Sequence, residues 1–259
     1  MSEFNALTFT YDGISSDKFG LFLCELDNND INQINETYTV NTLISPLTKE
    51  HIFMGYQTID ALTFEIIIAS DKIIDAYTRS KINQWLIGRN GFKEFRINAP
   101  DYADTFFRCI FTKQETIYIG GYNYALKLTA VCDSPYQYGS SVITDYIANE
   151  NRNIIINNKS DIDGYIYPNI TFTMSETGGN ISIINISDNS REFKFTGLSG
   201  NESITVDNEK KIITSSLGVY RLGAFNKKWL RFVSGINTLN ITGEAEIQIV
   251  LPVIKRVGI

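Results

Sequence analysis

The feature that most constrains this chain is an apolar period of two. The segment "LTFEIII" sets Leu62, Phe64, Ile66 and Ile68 on one side of an extended backbone. "FRCIF" aligns Phe107, Cys109 and Phe111 against Arg108, and "ALKLTAVC" aligns Leu126, Leu128, Ala130 and Cys132. Near the end, "EIQIVL" aligns Ile247, Ile249 and Leu251. Thr, Val, Ile and aromatic residues suit such half-buried pleated surfaces. The pattern predicts a mainly β protein.

One segment departs from that period. In "SDKIIDAYTRSKINQWLIGRNG", Ile74, Tyr77, Lys81 (by its stem) and Trp85 recur at helical spacing, and Ile82 and Leu86 widen the stripe. Ser70 or Asp71 is the candidate cap and Gly88 the stop. The spacing predicts one amphipathic helix over about 71–88, lying on the sheet of its flanking strands, with Trp85 as a core anchor.

The texture changes after "AVCDSPYQYG", where Pro135 and Gly139 punctuate the chain. "SSVITDYIANENRNIIINNKSDIDGYIYPNI" reads as polar, Asn-rich loops. Short strands follow, with turn signals at Gly178-Gly179-Asn180, Asp188-Asn189-Ser190 and Asp207-Asn208. That cadence fits a β-sandwich. The expected organisation is an N-terminal β-sheet or barrel-like domain over 1–139 carrying the one helix, a linker over 140–152, and a sandwich over 153–259.

Chemistry is hard to find. A formal net charge of −6 is the wrong sign for specific nucleic-acid binding or for attraction to an anionic membrane surface. No run approaches the roughly 18 apolar residues of a spanning helix, so no membrane insertion is expected. "MSEFNALTFTYDG" has neither the basic nor the apolar region of a signal peptide, which points to synthesis in a cytosol. Cys24, Cys109 and Cys132 are scattered without a CxxC and read as buried, reduced thiols. His51 is the one histidine, and no GxSxG, P-loop or GxGxxG accompanies it. Gly120-Gly121 reads as a hairpin turn or bulge. Asp101 with Asp104, and Glu244 with Glu246, are carboxylate pairs by proximity alone and read as solvated charges. The acids at Asp27 and Asp30, and at Asp161 and Asp163, match no calcium loop. No catalytic residue, cofactor or metal site is therefore expected, and the chain reads as a non-enzyme that works through its surfaces.

Two surfaces stand out. In the loop or hairpin arm from Ser45 to Thr58, Ile52, Phe53, Met54 and Tyr56 crowd together as a candidate contact with an adjacent subunit. In "VYRLGAFNKKWLRF", Tyr220, Phe225 and Trp229 are candidate stacking aromatics for a sugar.

The order of segments brings a family into view. "FTYDGISSDKFGLFLCEL" resembles the opening of the siphophage distal tail proteins: a strand, a Gly-Ile-x-Ser turn, then a Phe-Gly-Leu strand. "INQWLIGRNGFKEFRI" and "DTFFRCIFTKQETIYIGGYNYALKLTAVCDSPYQYG" are similar to the rest of that family's first domain. "GYIYPNITF", "LSGNESITVDNEKKII" and "FVSGINTLNITGEAEIQI" are similar to its C-terminal sandwich, which is related to galectin-like and carbohydrate-binding folds. There is one departure: many members carry a Pro-Gly-Arg-Gly type segment where this chain has "LISPLTKEHIFMGYQT". The resemblance implies a non-enzymatic hub of the tail tip, made in the host bacterial cytoplasm and carried in the virion. It implies a homohexameric ring with an open channel, joined on one face to the tail tube protein and on the other to the tip or tail-associated protein. The second domains would hold receptor-binding proteins. The alternative is a carbohydrate-binding module attached to host cell-wall polysaccharide. An acidic chain suits a channel that DNA crosses without sticking.

Overall fold

A computed structural model describes residues 7–24, 38–58, 61–148 and 152–257. The chain divides into two compact units, Met1–Tyr138 with Arg256–Ile259, and Gly139–Lys255. The mainly β expectation holds, with a single α-helix among the described residues.

The first unit contains β1 (Phe9–Tyr11), β2 (Ile14–Ser15), β3 (Leu21–Leu23), β4 (Tyr38–Ile44), β5 (His51–Thr58), β6 (Thr63–Ser70), α1 (Ala76–Leu86), β7 (Lys93–Ile97), β8 (Thr105–Ile119) and β9 (Tyr122–Cys132). Antiparallel pairing runs β3–β6–β9–β8–β7–β1–β2. An antiparallel bridge between Leu7, just ahead of β1, and Leu23 of β3 joins the β1 side of that path to its β3 end, so the sheet curls back on itself. The enclosed face carries Phe9, Tyr11, Phe64, Phe95, Phe107 and Phe111, all buried. These are the apolar members of the period-two segments.

Local chemistry explains the opening stretch. Asp12 and Gly13 both take positive φ, +52° and +74°, as a two-residue hairpin turn between β1 and β2 requires. Ser16 is buried because its Oγ accepts the Phe9 N–H at 3.1 Å. The Phe-Gly-Leu strand does not return to β1 along its length. A 3-10 turn over Ser16–Phe19 and Gly20 in the left-handed region send it to β6 instead, where Leu21 faces Ser70.

The helix is shorter than its periodicity suggested. Ile74 donates its N–H to the Asn123 carbonyl at 2.8 Å, which ties the chain before α1 to β9. Asp75, not Ser70 or Asp71, is the N-cap, and its Oδ1 accepts the Thr78 N–H at 2.7 Å. The buried stripe is rotated as well. Ile82, Trp85 and Leu86 enter the core, whereas Tyr77 is exposed with the Lys81 ammonium 4.4 Å from its ring centroid. Trp85 lies between Phe9 and Phe19, 5.7 and 4.9 Å away, and its indole N–H donates to the Tyr11 carbonyl at 2.9 Å.

Strand β10 (Gln137–Ala148) occupies most of the stretch expected as a linker. Alternation there was hidden by polar residues. The second unit continues with β11 (Arg152–Asn158), β12 (Asn169–Met174), β13 (Gly179–Asn185), β14 (Arg191–Leu198), β15 (Ser203–Asp207), β16 (Ile212–Ser215), β17 (Gly235–Thr242) and β18 (Ala245–Lys255). Strands β16–β15–β12–β18 form one antiparallel sheet and β11–β17–β13–β14 the other. Both sheets feed one core containing Phe172, Ile204, Ile249, Ile183, Phe195 and Leu239, which makes this unit a sandwich. The chain end does not stay there: Val257 is buried in the first unit's core.

The long segment between β16 and β17 has little regular structure yet supplies the buried Phe225, Leu230 and Phe232. Asparagines hold it. Asn208 donates to the Pro168 carbonyl and accepts the Leu230 N–H, both at 2.8 Å. Asn185 donates to the Arg231 carbonyl at 2.8 Å and to Asn237 at 3.0 Å. Two ion pairs finish the job: Arg231 grips Asp188 at 2.7 and 3.0 Å, and Arg221 grips Glu202 at 2.8 and 2.6 Å. Burial alone would raise the Glu202 carboxyl. Donation from Arg221, Ser215 and the Ser199 N–H overcomes it and holds the group down to about 2.

Candidate functional site

The expected arm is a free-standing hairpin. Strands β4 and β5 pair antiparallel from Tyr38 opposite Thr58 to Ile44 opposite His51, and they pair with no other strand among the described residues. A short loop closes it, with the Ser45 N–H donating to the Glu50 carbonyl at 2.9 Å and Lys49 at a φ of +56°. Thr42 faces Phe53 while Asn41 faces Gly55, so Met54 is the extra residue of a β-bulge. A bulge breaks strict alternation and sharpens the local twist.

Apolar residues therefore point outward on this arm. Phe53 and Met54 are 62% and 63% exposed, and Leu47 at the tip is 95% exposed. Ile52, Leu43 and Ile44 are exposed beside them. Tyr56 lies in β5 opposite Val40, and its side chain is outside the described residues. The sequence singles out Ile52, Phe53 and Met54; the structure adds Leu43, Ile44 and Leu47 as exposed apolar neighbours. The signal was present in "TLISPL", an apolar run across the turn. An isolated two-stranded hairpin is marginal in water, and this one has two edges unpaired among the described residues plus a solvent-facing apolar surface. His51, at the base of the turn, is exposed and shares a hydrogen bond with the Thr42 hydroxyl at 3.0 Å.

A second projection comes from the long β8–β9 hairpin. Gly120 and Gly121 take φ of +59° and +85°, the two-residue turn the sequence suggested. Tyr118, Ile119 and Tyr122 are exposed around it.

Two concave surfaces stand out among the described residues. An open groove of about 640 Å³ runs along α1 between Phe19, Tyr77, Trp85, Lys18, Lys81 and Arg89. Arg89 is engaged by Asp12, whose carboxyl it holds below the usual range by hydrogen bonding. A cleft of about 470 Å³ in the second unit brings Glu176, Glu244 and Glu246 to its rim. Glu244 and Glu246 are exposed, as solvated charges should be, and Glu244 accepts the Ser175 hydroxyl at 3.2 Å. Asp104 is exposed, while the Asp101 side chain, Asp27 and Asp30 lie outside the described residues.

The sugar-stacking trio does not assemble. Phe225 is 4% exposed and stacks on Phe195 at 4.7 Å, so it has no open face to offer. Trp229 is half-buried with its ring edge-on to Phe225 at 4.8 Å, and Tyr220 is exposed beside Lys211 and Leu222. The spacing that looked like a platform belongs to the segment that closes the sandwich.

Comparison with known proteins bears on the family and the fold. Residues 4–134 match the family model of a phage tail protein N-terminal domain, and residues 136–251 match that of a phage tail C-terminal domain. An uncharacterized SPbeta prophage-derived protein of Bacillus subtilis (strain 168), YomH, is 32% identical over 119 residues. That match covers 44% of this chain and 46% of the relative, so the chain spans under half of its length. Among solved structures, the Dit protein of phage SPP1 has a TM-score of 0.70 at 13% identity, over 96% of this chain and 99% of that one. It is described as a paradigm of the hub adsorption apparatus in phages infecting Gram-positive bacteria. A chain of the phage P2 baseplate has a TM-score of 0.51 at 11% identity, covering 94% of this chain and 97% of that one. At such identities the likeness is one of fold.

Proposed function

The chain belongs to the phage tail protein family and so is a component of the virion tail, and on that premise we propose that it is the distal hub of the tail. Copies close into a homohexameric ring around an open channel. One face of the ring meets the tail tube protein and the other the tip or tail-associated protein. The second unit carries receptor-binding proteins outward. The protein acts by assembly and turns over no substrate.

The observation that carries this reading is the β4–β5 hairpin. It leaves six apolar side chains exposed on a two-stranded sheet that pairs with no other strand among the described residues. A closed ring needs a heterologous contact, in which one patch of a subunit meets a different patch of the next. A projecting arm supplies one half of such a contact, and its open edges give main-chain groups for strand pairing. The fold likeness to a hub protein of another phage supports the same role.

Gold labelling of an epitope-tagged chain on intact particles tests the placement. The hub reading expects label at the far end of the tail only. Label spread along the tube or on the head contradicts it.

A further inference from the structure

We propose that Cys109 and Cys132 are a latent cross-strand disulfide, reduced while the protein is made and closed once the particle meets an oxidising medium. Cys109 on β8 faces Cys132 on β9 directly in the antiparallel register. Both side chains are buried in the same core, so they point to the same side of the sheet.

The hydrogen bonds around the pair fix its type. The Cys132 N–H donates away from β8, to the Leu62 carbonyl at 2.8 Å. The next residue, Asp133, donates its N–H back to the Arg108 carbonyl of β8 at 2.9 Å. The neighbouring Arg108–Asp133 position is thus hydrogen-bonded, and Cys109–Cys132 is the non-hydrogen-bonded kind. Cα atoms at such positions stand about 4.5 Å apart with their side chains closer than elsewhere in the ladder. That separation falls within the roughly 4.4–6.8 Å that a disulfide spans. The thiols are unbonded in this structure.

The reaction needs an external acceptor, and a small-molecule disulfide of the glutathione class suffices. One cysteine thiolate attacks it and expels a thiol, leaving a mixed disulfide. The second thiolate then attacks the protein sulfur and expels another thiol. Two protein thiols are oxidised, and one small disulfide is reduced to two thiols. Burial sets the tempo. It pushes both thiols up, Cys132 to about 12, with the Asp133 charge adding to burial, so little thiolate forms in the closed fold. Cys132 is the last residue of β9, and since its N–H and that of Asp133 are both bonded, entry requires local opening of that end, which sub-denaturing urea promotes. The same burial then shields the closed bond from reductants. A tail component leaves the reducing cell interior with the particle, which is when such a lock is useful.

The test uses the full-length chain carrying Cys24→Ala, which leaves only this pair. It is incubated with oxidised glutathione, with and without urea below the unfolding midpoint, then denatured, alkylated and weighed. The expected product has lost two hydrogens, resists alkylation, and yields a peptide joining Cys109 to Cys132. Its first-unit unfolding midpoint rises by about 5 °C. The Cys132→Ser version gives no internal cross-link. Full alkylation of both cysteines after incubation in urea, or a stable glutathione adduct on either in place of the internal bond, overturns the proposal.

Discussion

Truncating the arm separates assembly from folding. Consider Phe53→Ala combined with Met54→Ala, at side chains that are 62% and 63% exposed in the single chain. Full burial of a Phe or Met side chain is worth about 1.5–3 kcal/mol. Covering the part still open is therefore worth about 1–2 kcal/mol each. The double truncation should cost about 2–4 kcal/mol per subunit contact, which weakens association about thirty- to several-hundredfold. In the proposed ring every contact would use one arm, so each contact would lose the same amount. The isolated chain should hardly notice, because surface substitutions outside special features stay within about 0.5 kcal/mol. Sedimentation velocity across a concentration series reads the first quantity, and thermal unfolding of dilute protein reads the second. Assembly at unchanged concentration would refute the reasoning. So would a large drop in the unfolding midpoint, since that would mean the two side chains serve their own domain.

Other perturbations follow from the packing. Glu202 has a folded pKa of about 2 against an ordinary 4.5, so its contribution is present above pH 4.5 and lost as pH falls toward 2. Glu202→Gln should lower stability by about 3 kcal/mol near neutrality and flatten that acid limb in denaturant titrations at stepped pH. Phe225→Ala should destabilise the second unit by about 3–5 kcal/mol by calorimetry while leaving self-association intact, because Phe225 is core rather than surface. Asp75→Ala removes the helix cap and should cost about 1 kcal/mol in urea unfolding. Gly200→Ala puts a Cβ 1.9 Å from the Glu176 carbonyl oxygen and should cost about 1–3 kcal/mol, seen as a lower unfolding midpoint.

Much of the fold is legible because one buried sheet face writes itself into the sequence at every second residue. Phe64, Phe107, Phe111 and Leu128 are core for that reason. The turn at Asp12-Gly13 is legible because both positions need positive φ. Three things are not legible. Strand β10 carries exposed Ile143 and Ile147 among polar residues, so its alternation does not mark a buried face. Helical spacing alone cannot say that Tyr77 and Lys81 turn outward, since the stripe's orientation is set by what Trp85 reaches. Buried asparagines such as Asn185 and Asn208 look like loop residues, because their hydrogen-bond partners lie 46 and 40 residues away. On the arm, Ile52, Phe53 and Met54 cluster in sequence, but their exposure follows from a hairpin that pairs with no other strand among the described residues, which the sequence does not show. Tyr220, Phe225 and Trp229 are near in sequence but share no open surface, because Phe225 is buried against Phe195.

The most direct test of the hub account is electron microscopy of the purified, unmodified chain at high concentration, alone and with its tail tube protein. The account predicts closed rings with a central opening, which vanish when the arm is truncated. Solitary particles under both conditions, or rings that persist without the arm side chains, would contradict it.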